Sequence, residues 1–264
     1  MNASLVVVGS GIKFISHLTT EAKAYIEQSE KVLYLVNDPA MKTWIQKSNA
    51  NTESLDELYT KYTLRLDCYR AITDYILETL HKGQHMCVVF YGHPSVFAKS
   101  ALDAVTRARQ KGFYAKILPG ISAEDCFFAD VLIDPGSCGC QSFEATDFLI
   151  HRRRFDPSCH LLLWQVDIIG VLNNPNIHDN RKGAELLVSY LNQYYALEHE
   201  VVMYEAAQYP SFEPKIEKLP LRFLPKVTFS RISMLYIPPA YKASCDEATL
   251  KKLNINIKDL YRNK

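Results

Sequence analysis

Three times in the first half of this chain, a short run of β-branched and apolar residues ends in a glycine-bearing turn and gives way to helix-period sequence. The turns are Gly9-Ser10-Gly11, Tyr91-Gly92-His93-Pro94-Ser95-Val96-Phe97 and Leu118-Pro119-Gly120-Ile121-Ser122-Ala123. The alternation predicts an α/β architecture, because buried parallel strands read as continuous apolar runs and helices supply their crossovers. In an open α/β sheet, ligands lie beyond the carboxyl ends of the strands, so three such turns can converge on one crevice.

Residues 4–8, 32–36 and 86–91 read as buried strands, with helices over 20–28 and 41–46 between them. Asp38-Pro39 opens the second helix with a capping residue followed by proline in the first turn. Residues 64–82 hold the longest helical pattern, with Ile72, Ile76, Leu77 and Leu80 forming one stripe and Gly83 as the stop. A second α/β set follows: a helix capped by Ser122 and running to residue 129, strands over 160–165, 200–205 and 232–237, and a helix over 182–194. The expected organisation is an N-terminal α/β domain, residues 1–118, a C-terminal α/β domain, residues 119–240, and a polar, basic tail over 241–264 that covers a neighbour or frays.

Charge narrows the partners. Thirty Lys+Arg against 29 Asp+Glu leave a formal net charge of +1, so no electrostatic excess favours nucleic acid or anionic lipid. No apolar run approaches the roughly 18 residues of a membrane span. The N-terminus lacks the basic flank of a secretory signal, which makes the cytoplasm the simplest address. Seven cysteines at irregular spacings, with no C-x-x-C pair, read as reduced thiols, including Cys138-Gly139-Cys140.

Each turn also has a plain reading. Gly9-Ser10-Gly11 lacks the third glycine of a dinucleotide fingerprint and serves equally as a strand-to-helix turn. His93 can be a satisfied turn histidine, and Ser122 a simple cap. What lifts them above this is their company: Ile133-Asp134-Pro135-Gly136, Gln141-Ser142-Phe143-Glu144-Ala145, Leu162-Leu163-Trp164-Gln165 and Ile237-Pro238-Pro239-Ala240. Together these strings resemble the tetrapyrrole methylase superfamily of S-adenosylmethionine-dependent methyltransferases. Within it, they look closest to the borosin branch of peptide-backbone α-N-methyltransferases, over about residues 5–240.

The resemblance implies two packed α/β domains with S-adenosylmethionine in the crevice between them. It further implies that Gly9 and Gly11 form the first cofactor turn, that Tyr91, His93, Val96 and Phe97 line the cofactor, and that Ser122 and Ala123 sit beside its methionine or ribose portion. Gln165 and Ser233 match further cofactor-contacting positions. Ala206 or Ala207 falls where relatives use a small residue to admit adenine, and Met234 where some have threonine. The corrin-pathway enzymes continue the first turn with proline, glycine and aspartate, whereas this chain continues Gly11-Ile12-Lys13-Phe14, which points away from a tetrapyrrole substrate.

Arg65 and Tyr69 are spaced i, i+4 and share a helix face with Ile72 and Ile76, so a cation and a phenol point toward the protein. A core-edge tyrosine and a routine ion pair would satisfy the same spacing. The borosin resemblance implies a catalytic set of a first tyrosine, Arg65 and Tyr69, with Tyr59 as the first and Tyr62 as its competitor. The chemistry suits these residue types, because an amide nitrogen is a poor nucleophile until its proton leaves. A phenol whose pKa is lowered from about 10 by a guanidinium can take that proton, while the guanidinium also steadies charge on the carbonyl oxygen.

The remaining candidates are weaker: His151-Arg152-Arg153-Arg154 reads as solvated charge or ion pairs, and the eight histidines show no metal-ligand spacing. The expected function is therefore methylation of backbone amides of a precursor peptide. Because no repetitive or hydrophobic segment follows Ala240, the peptide is expected as a separate chain, acting with a homodimer or a heterotetramer holding two precursor chains. The alternatives are a methylase of a tetrapyrrole-like or other small molecule, and a cofactor-retaining subunit that binds peptide without methylating it.

Overall fold

The computed structural model describes residues 3–173 and 180–261. The last three residues of the expected tail, 262–264, lie outside this range. The first half builds one five-stranded sheet from β1 (Ser4–Gly9), β2 (Lys31–Leu35), β3 (Thr52–Ser54), β4 (His85–Phe90) and β5 (Tyr114–Ile117), ordered β3-β2-β4-β1-β5. Every pairing in it is parallel. The helices are α1 (Thr20–Gln28), α2 (Pro39–Ser48), α3 (Asp56–Lys61), α4 (Arg65–Leu80) and α5 (Lys99–Gln110).

Strand alternation divides the interior between the two faces of this sheet. Leu5, Val7, Leu33 and Val88 pack with Ile72, Ile76 and Leu80 of α4 and Ala104 of α5. Val6, Val8, Val32 and Val89 face the other way, onto Ala22 and Ile26 of α1 and Met41 and Ile45 of α2. Both faces are covered, which is why these strands are apolar at consecutive positions. The side chain of Asp38 caps α2 by accepting from Ala40 N at 2.8 Å, with Pro39 in the first turn as its sequence predicts.

The second half contributes α6 (Ala123–Val131), β6 (Cys140–Glu144), α7 (Ala145–Ile150), β7 (His160–Trp164), α8 (Arg181–Leu191), β8 (Glu200–Glu205), β9 (Lys215–Pro220), β10 (Met234–Ile237) and α9 (Glu247–Lys252). Its sheet runs β6-β7-β10-β8-β9. Only β6 and β7 are parallel, and the other pairings are antiparallel. This half is therefore a mixed sheet. One face packs on α7 and α8 through Phe148, Leu187 and Leu191. The opposite face receives Phe127 of α6, and Ile12 from the first half joins the same apolar cluster.

The last strand begins at Met234, two residues after its expected start, because Ser230–Ser233 is a turn: Ser233 N donates to Ser230 O and Ser230 N to Ser233 Oγ. The basic cluster is spent locally. Arg153 makes two bonds to Asp147, and Arg152 stacks its guanidinium 5.2 Å from the Tyr190 ring centroid. All seven thiols are free. No helix among the described residues is long and apolar enough to cross a membrane.

Candidate active site

The three glycine turns meet. A Cβ placed on Gly9 would lie 2.1 Å from Gly92 O, and one on Gly120 would lie 3.3 Å from the same oxygen and 3.5 Å from Gly9 Cα. Backbones this close leave no room for side chains, so glycine here is a packing requirement. Gly11 and Gly92 exchange backbone bonds at 3.2 and 3.1 Å, locking the first turn to the second. Gly92 has φ +68, and a Cβ there would touch only Ile12 Cδ1, at 3.4 Å; its outer side opens into a cavity.

That cavity holds about 460 Å³ and runs between the carboxyl ends of the first sheet and the β7 and β10 region of the second. Tyr91, His93, Val96 and Phe97 line it from the second turn, Ser122 and Ala123 from the third, and Gln165, Ala206 and Ser233 from the second half. Ser122 caps α6 in a reciprocal box with Asp125, accepting from Asp125 N at 3.2 Å while Ser122 N donates to Asp125 Oδ2 at 2.7 Å. His93 Nδ1 accepts from Ser95 N at 3.1 Å, which leaves Nε2 as the protonated nitrogen of the neutral ring. Ser233 donates to Glu205 Oε1 at 2.6 Å. Burial pushes the Tyr91 phenol up to about 12, helped by Cys126 and Asp38.

Four expected cofactor residues stand elsewhere. Gly9 and Gly11 form the turn behind the wall and do not line the cavity. Ala207 also lies outside the lining, whereas Ala206 reaches it. Met234, the first residue of β10, is fully buried in the apolar cluster with Ile12, Trp164 and Tyr204, while Ser233, the last residue of the preceding turn, takes the cavity side.

Tyr59, Arg65 and Tyr69 border the same cavity from α3 and α4. Tyr62 does not line it and is 36% exposed. Arg65 Nη2 donates to Val171 O at 2.5 Å and Nη1 to Gln165 Oε1 at 3.4 Å, so the guanidinium reaches from the first half onto the second. The Tyr69 pKa departs from the expected lowering. Burial and the Tyr59 phenol raise it to about 12; Arg65 does pull it down, but an apolar surround disfavours the phenolate by more.

The lining includes residues that the sequence reading passed over: Asn37, Asp56, Thr60, Trp164, Asp167 and Arg231. Asn37 follows β2 at the carboxyl edge, where the rule that found the other turns applies equally. Trp164 ends a recognised strand, donates its indole N–H to Ser142 Oγ at 2.7 Å, and packs its ring 5.8 Å from Phe97. Asp56 and Thr60 sit on a six-residue helix with no apolar period, and nothing in the residues around Arg231 signals its position.

With this geometry in view, the profile of the Tetrapyrrole (Corrin/Porphyrin) Methylases matches residues 4–221. The chain belongs to that family. Among the proteins similar to this tetrapyrrole methylase is the methyltransferase/ribosomally synthesized cyclic peptide gymnopeptides precursor of Gymnopus fusipes, 40% identical over 240 residues and covering 89% of this chain and 57% of that protein. A second is the methyltransferase/ribosomally synthesized type I borosin cyclic peptide precursor of Coprinopsis marcescibilis, 37% identical over 260 residues and covering 95% of this chain and 66% of that protein. This tetrapyrrole methylase thus spans about three fifths of the length of such relatives. Among solved structures, uroporphyrin-III-C-methyltransferase from Thermus thermophilus superposes with a TM-score of 0.64 at 17% identity, over 91% of this chain and 94% of that one, a likeness of fold.

Proposed function

We propose that this protein is an S-adenosylmethionine-dependent methyltransferase acting on backbone amide nitrogens of a ribosomally made precursor peptide. The observation that carries the reading is a single cavity bordered on one side by the second and third glycine turns and on another by Tyr59, Arg65 and Tyr69. The names of the relatives, which join a methyltransferase to a peptide precursor, supply the substrate class.

The residues present suit the cofactor. A cavity of about 460 Å³ falls within the range of small-molecule sites. Gly92 leaves its backbone open toward that space, and Ser122, Ser233 and His93 offer polar anchors among aromatic walls. When bound, the cofactor would supply an electrophilic methyl group on a cationic sulfur. Tyr91, His93, Val96 and Phe97, with Ser122, Ala123, Gln165, Ala206 and Ser233, would hold it.

The work of the chain is to prepare the amide. Arg65 would hold the carbonyl oxygen as it gains negative charge, using guanidinium donors beyond those given to Val171 and Gln165. Tyr69, as phenolate, would take the amide proton, leaving an imidate-like nitrogen as nucleophile. Its resting phenol lies well above neutrality, so the base needs more positive charge than Arg65 gives; a cationic ligand in the same cavity lowers it in the required direction. Alignment of nitrogen and methyl supplies the rest. A homodimer, the division near residue 118 and a cytoplasmic address belong to the same proposal, resting on the family resemblance and composition.

The test uses as substrate the part of the gymnopeptides precursor that lies outside the region matched by this chain. After incubation with S-adenosylmethionine, tandem mass spectrometry should find CH₂ increments on backbone nitrogens. Increments confined to side chains, or none on the peptide while this chain itself becomes methylated, would reject this substrate arrangement.

A further inference from the structure

Arg65 occupies a place that local rules disfavour. It is the first residue of α4, where a cation opposes the positive end of the helix dipole. Leu64, the N-cap, provides no side-chain cap, although serine, aspartate or asparagine is preferred there. On the other half of the chain, Gln165 is held at φ 56 and ψ 36, a left-handed backbone that strains a non-glycine residue.

These departures meet at one contact between the two halves. The guanidinium bonds to Val171 O and Gln165 Oε1, the backbone N–H of Arg65 donates to Leu172 O at 3.1 Å, and Leu64 bridges Asn173. The Leu172 carbonyl thereby satisfies one of the orphan donors at the start of α4. Strain and unfavourable placement concentrated at one point of a cavity wall mark a geometry kept for function.

We infer that Gln165 is a positioning residue for Arg65: its side-chain oxygen, with the Val171 carbonyl, fixes the direction in which the guanidinium faces the cavity beside Tyr69. The role rests on the function proposed above and adds to any cofactor contact that Gln165 makes. The Val171 bond alone leaves a planar fork free to swing about one acceptor, and the second acceptor sets its plane. The left-handed backbone turns the Gln165 side chain toward α4 directly after β7 ends at Trp164.

Three variants test this. Gln165→Ala removes the acceptor, Gln165→Glu keeps an oxygen there, and Gln165→Gly removes the acceptor while relieving the backbone. In the ligand-free protein, amide hydrogen exchange over residues 65–69 should quicken in Gln165→Ala and stay near wild type in Gln165→Glu. With saturating S-adenosylmethionine and the precursor segment named above, kcat should fall about tenfold in Gln165→Ala and Gln165→Gly and stay within about threefold of wild type in Gln165→Glu. The melting temperature of Gln165→Gly should match or exceed that of Gln165→Ala. Full kcat in Gln165→Ala at saturating donor would overturn the proposal, as would a kcat loss in all three variants that merely follows lost stability. If the wild type methylates no peptide, the functional reading fails separately. Exchange over residues 65–69 then decides the positioning role, and unchanged rates in Gln165→Ala would overturn it.

Discussion

The rings of Tyr59 and Tyr69 lie 6.3 Å apart between centroids and tilt by 42°, although they belong to different helices. The α3–α4 junction brings them together: the buried Cys68 thiol donates to Tyr59 O at 3.1 Å, tying the end of one helix to the first turns of the next. Tyr62, three residues on, falls outside the cavity lining, with the ammonium of Lys61 5.9 Å from its ring centroid. Of the two tyrosines that the sequence left open, Tyr59 is the one placed against Tyr69.

Removing the Tyr69 hydroxyl should therefore separate chemistry from folding. Tyr69→Phe keeps the ring packing and deletes the proton acceptor, so methylation of the precursor segment should drop by about 10²–10⁴-fold. The affinity for S-adenosylhomocysteine, measured by calorimetry, should change little. Tyr62→Phe, the matched control, should retain near wild-type rates. Unchanged turnover in Tyr69→Phe would remove it as the base.

Alkaline stability offers a readout independent of substrate. Tyr69 and Tyr91 are both raised from 10.0 to about 12, chiefly by burial. Between those values the unfolded chain loses phenolic protons that the folded chain keeps, so the native state binds more protons and stability falls as pH rises. Below pH 10 both states hold the protons and these groups add no pH dependence. Urea midpoints should thus be insensitive to these two tyrosines at pH 8 and decline from pH 10 to 12. The decline should be shallower in Tyr91→Phe, and an equal slope in that variant would contradict the assignment.

Sequence carried the first half well and the second less so, for a physical reason. β1, β2 and β4 are buried on both faces and announce themselves as apolar runs, and Asp38-Pro39 marks the start of α2 unambiguously. β9 is an edge strand, Lys-Ile-Glu-Lys-Leu-Pro, mostly exposed, and its charges protect the edge while hiding its period. β3 spans three residues and α3 six, too short for either periodicity to register. At the site, turns after strands were legible because position relative to the sheet suffices. The gap between lining the cavity and standing behind it, as with Met234 and Gly9, depends on strand phase and loop contact that the residue pattern does not encode. The direction of the Tyr69 shift was missed likewise, since proximity of Arg65 follows from spacing whereas burial and the approach of Tyr59 depend on how α3 packs on α4.

Where the turns converge on Gly9, Gly92 and Gly120, Gly9 has the least room for a side chain. A methyl group at Gly9 would meet a backbone carbonyl at 2.1 Å and Pro94 Cδ at 2.8 Å, and neither is the free end of a flexible side chain. Gly9→Ala should cost about 1–3 kcal/mol through forced separation of the first and second turns. It should also weaken S-adenosylhomocysteine binding, because Gly92 and His93 move with the second turn. Wild-type stability with wild-type affinity would show that the turns separate freely.

Leu132 supplies the opposite case, strain with no site attached. It ends α6 in the left-handed conformation, φ 56, with its N–H bonded to Phe128 O and its side chain 90% exposed. A left-handed leucine pays about 1–2 kcal/mol against glycine, of which roughly 0.5–1 kcal/mol is returned when glycine loosens the unfolded chain. Leu132→Gly should accordingly gain several tenths to about 1 kcal/mol, a rise of about 1–3 °C in melting temperature for a domain near this size. Turnover should be unaffected, because Leu132 does not line the cavity. Gln165 has nearly the same backbone angles and the reverse expectation, that glycine is tolerated by the fold and harmful to the reaction. Measured side by side, the two substitutions ask whether left-handed backbone in this chain tracks local helix termination or the cavity. A melting temperature lowered by Leu132→Gly would mean that its exposed side chain contributes a contact, and the strain argument at both positions would lose its reference.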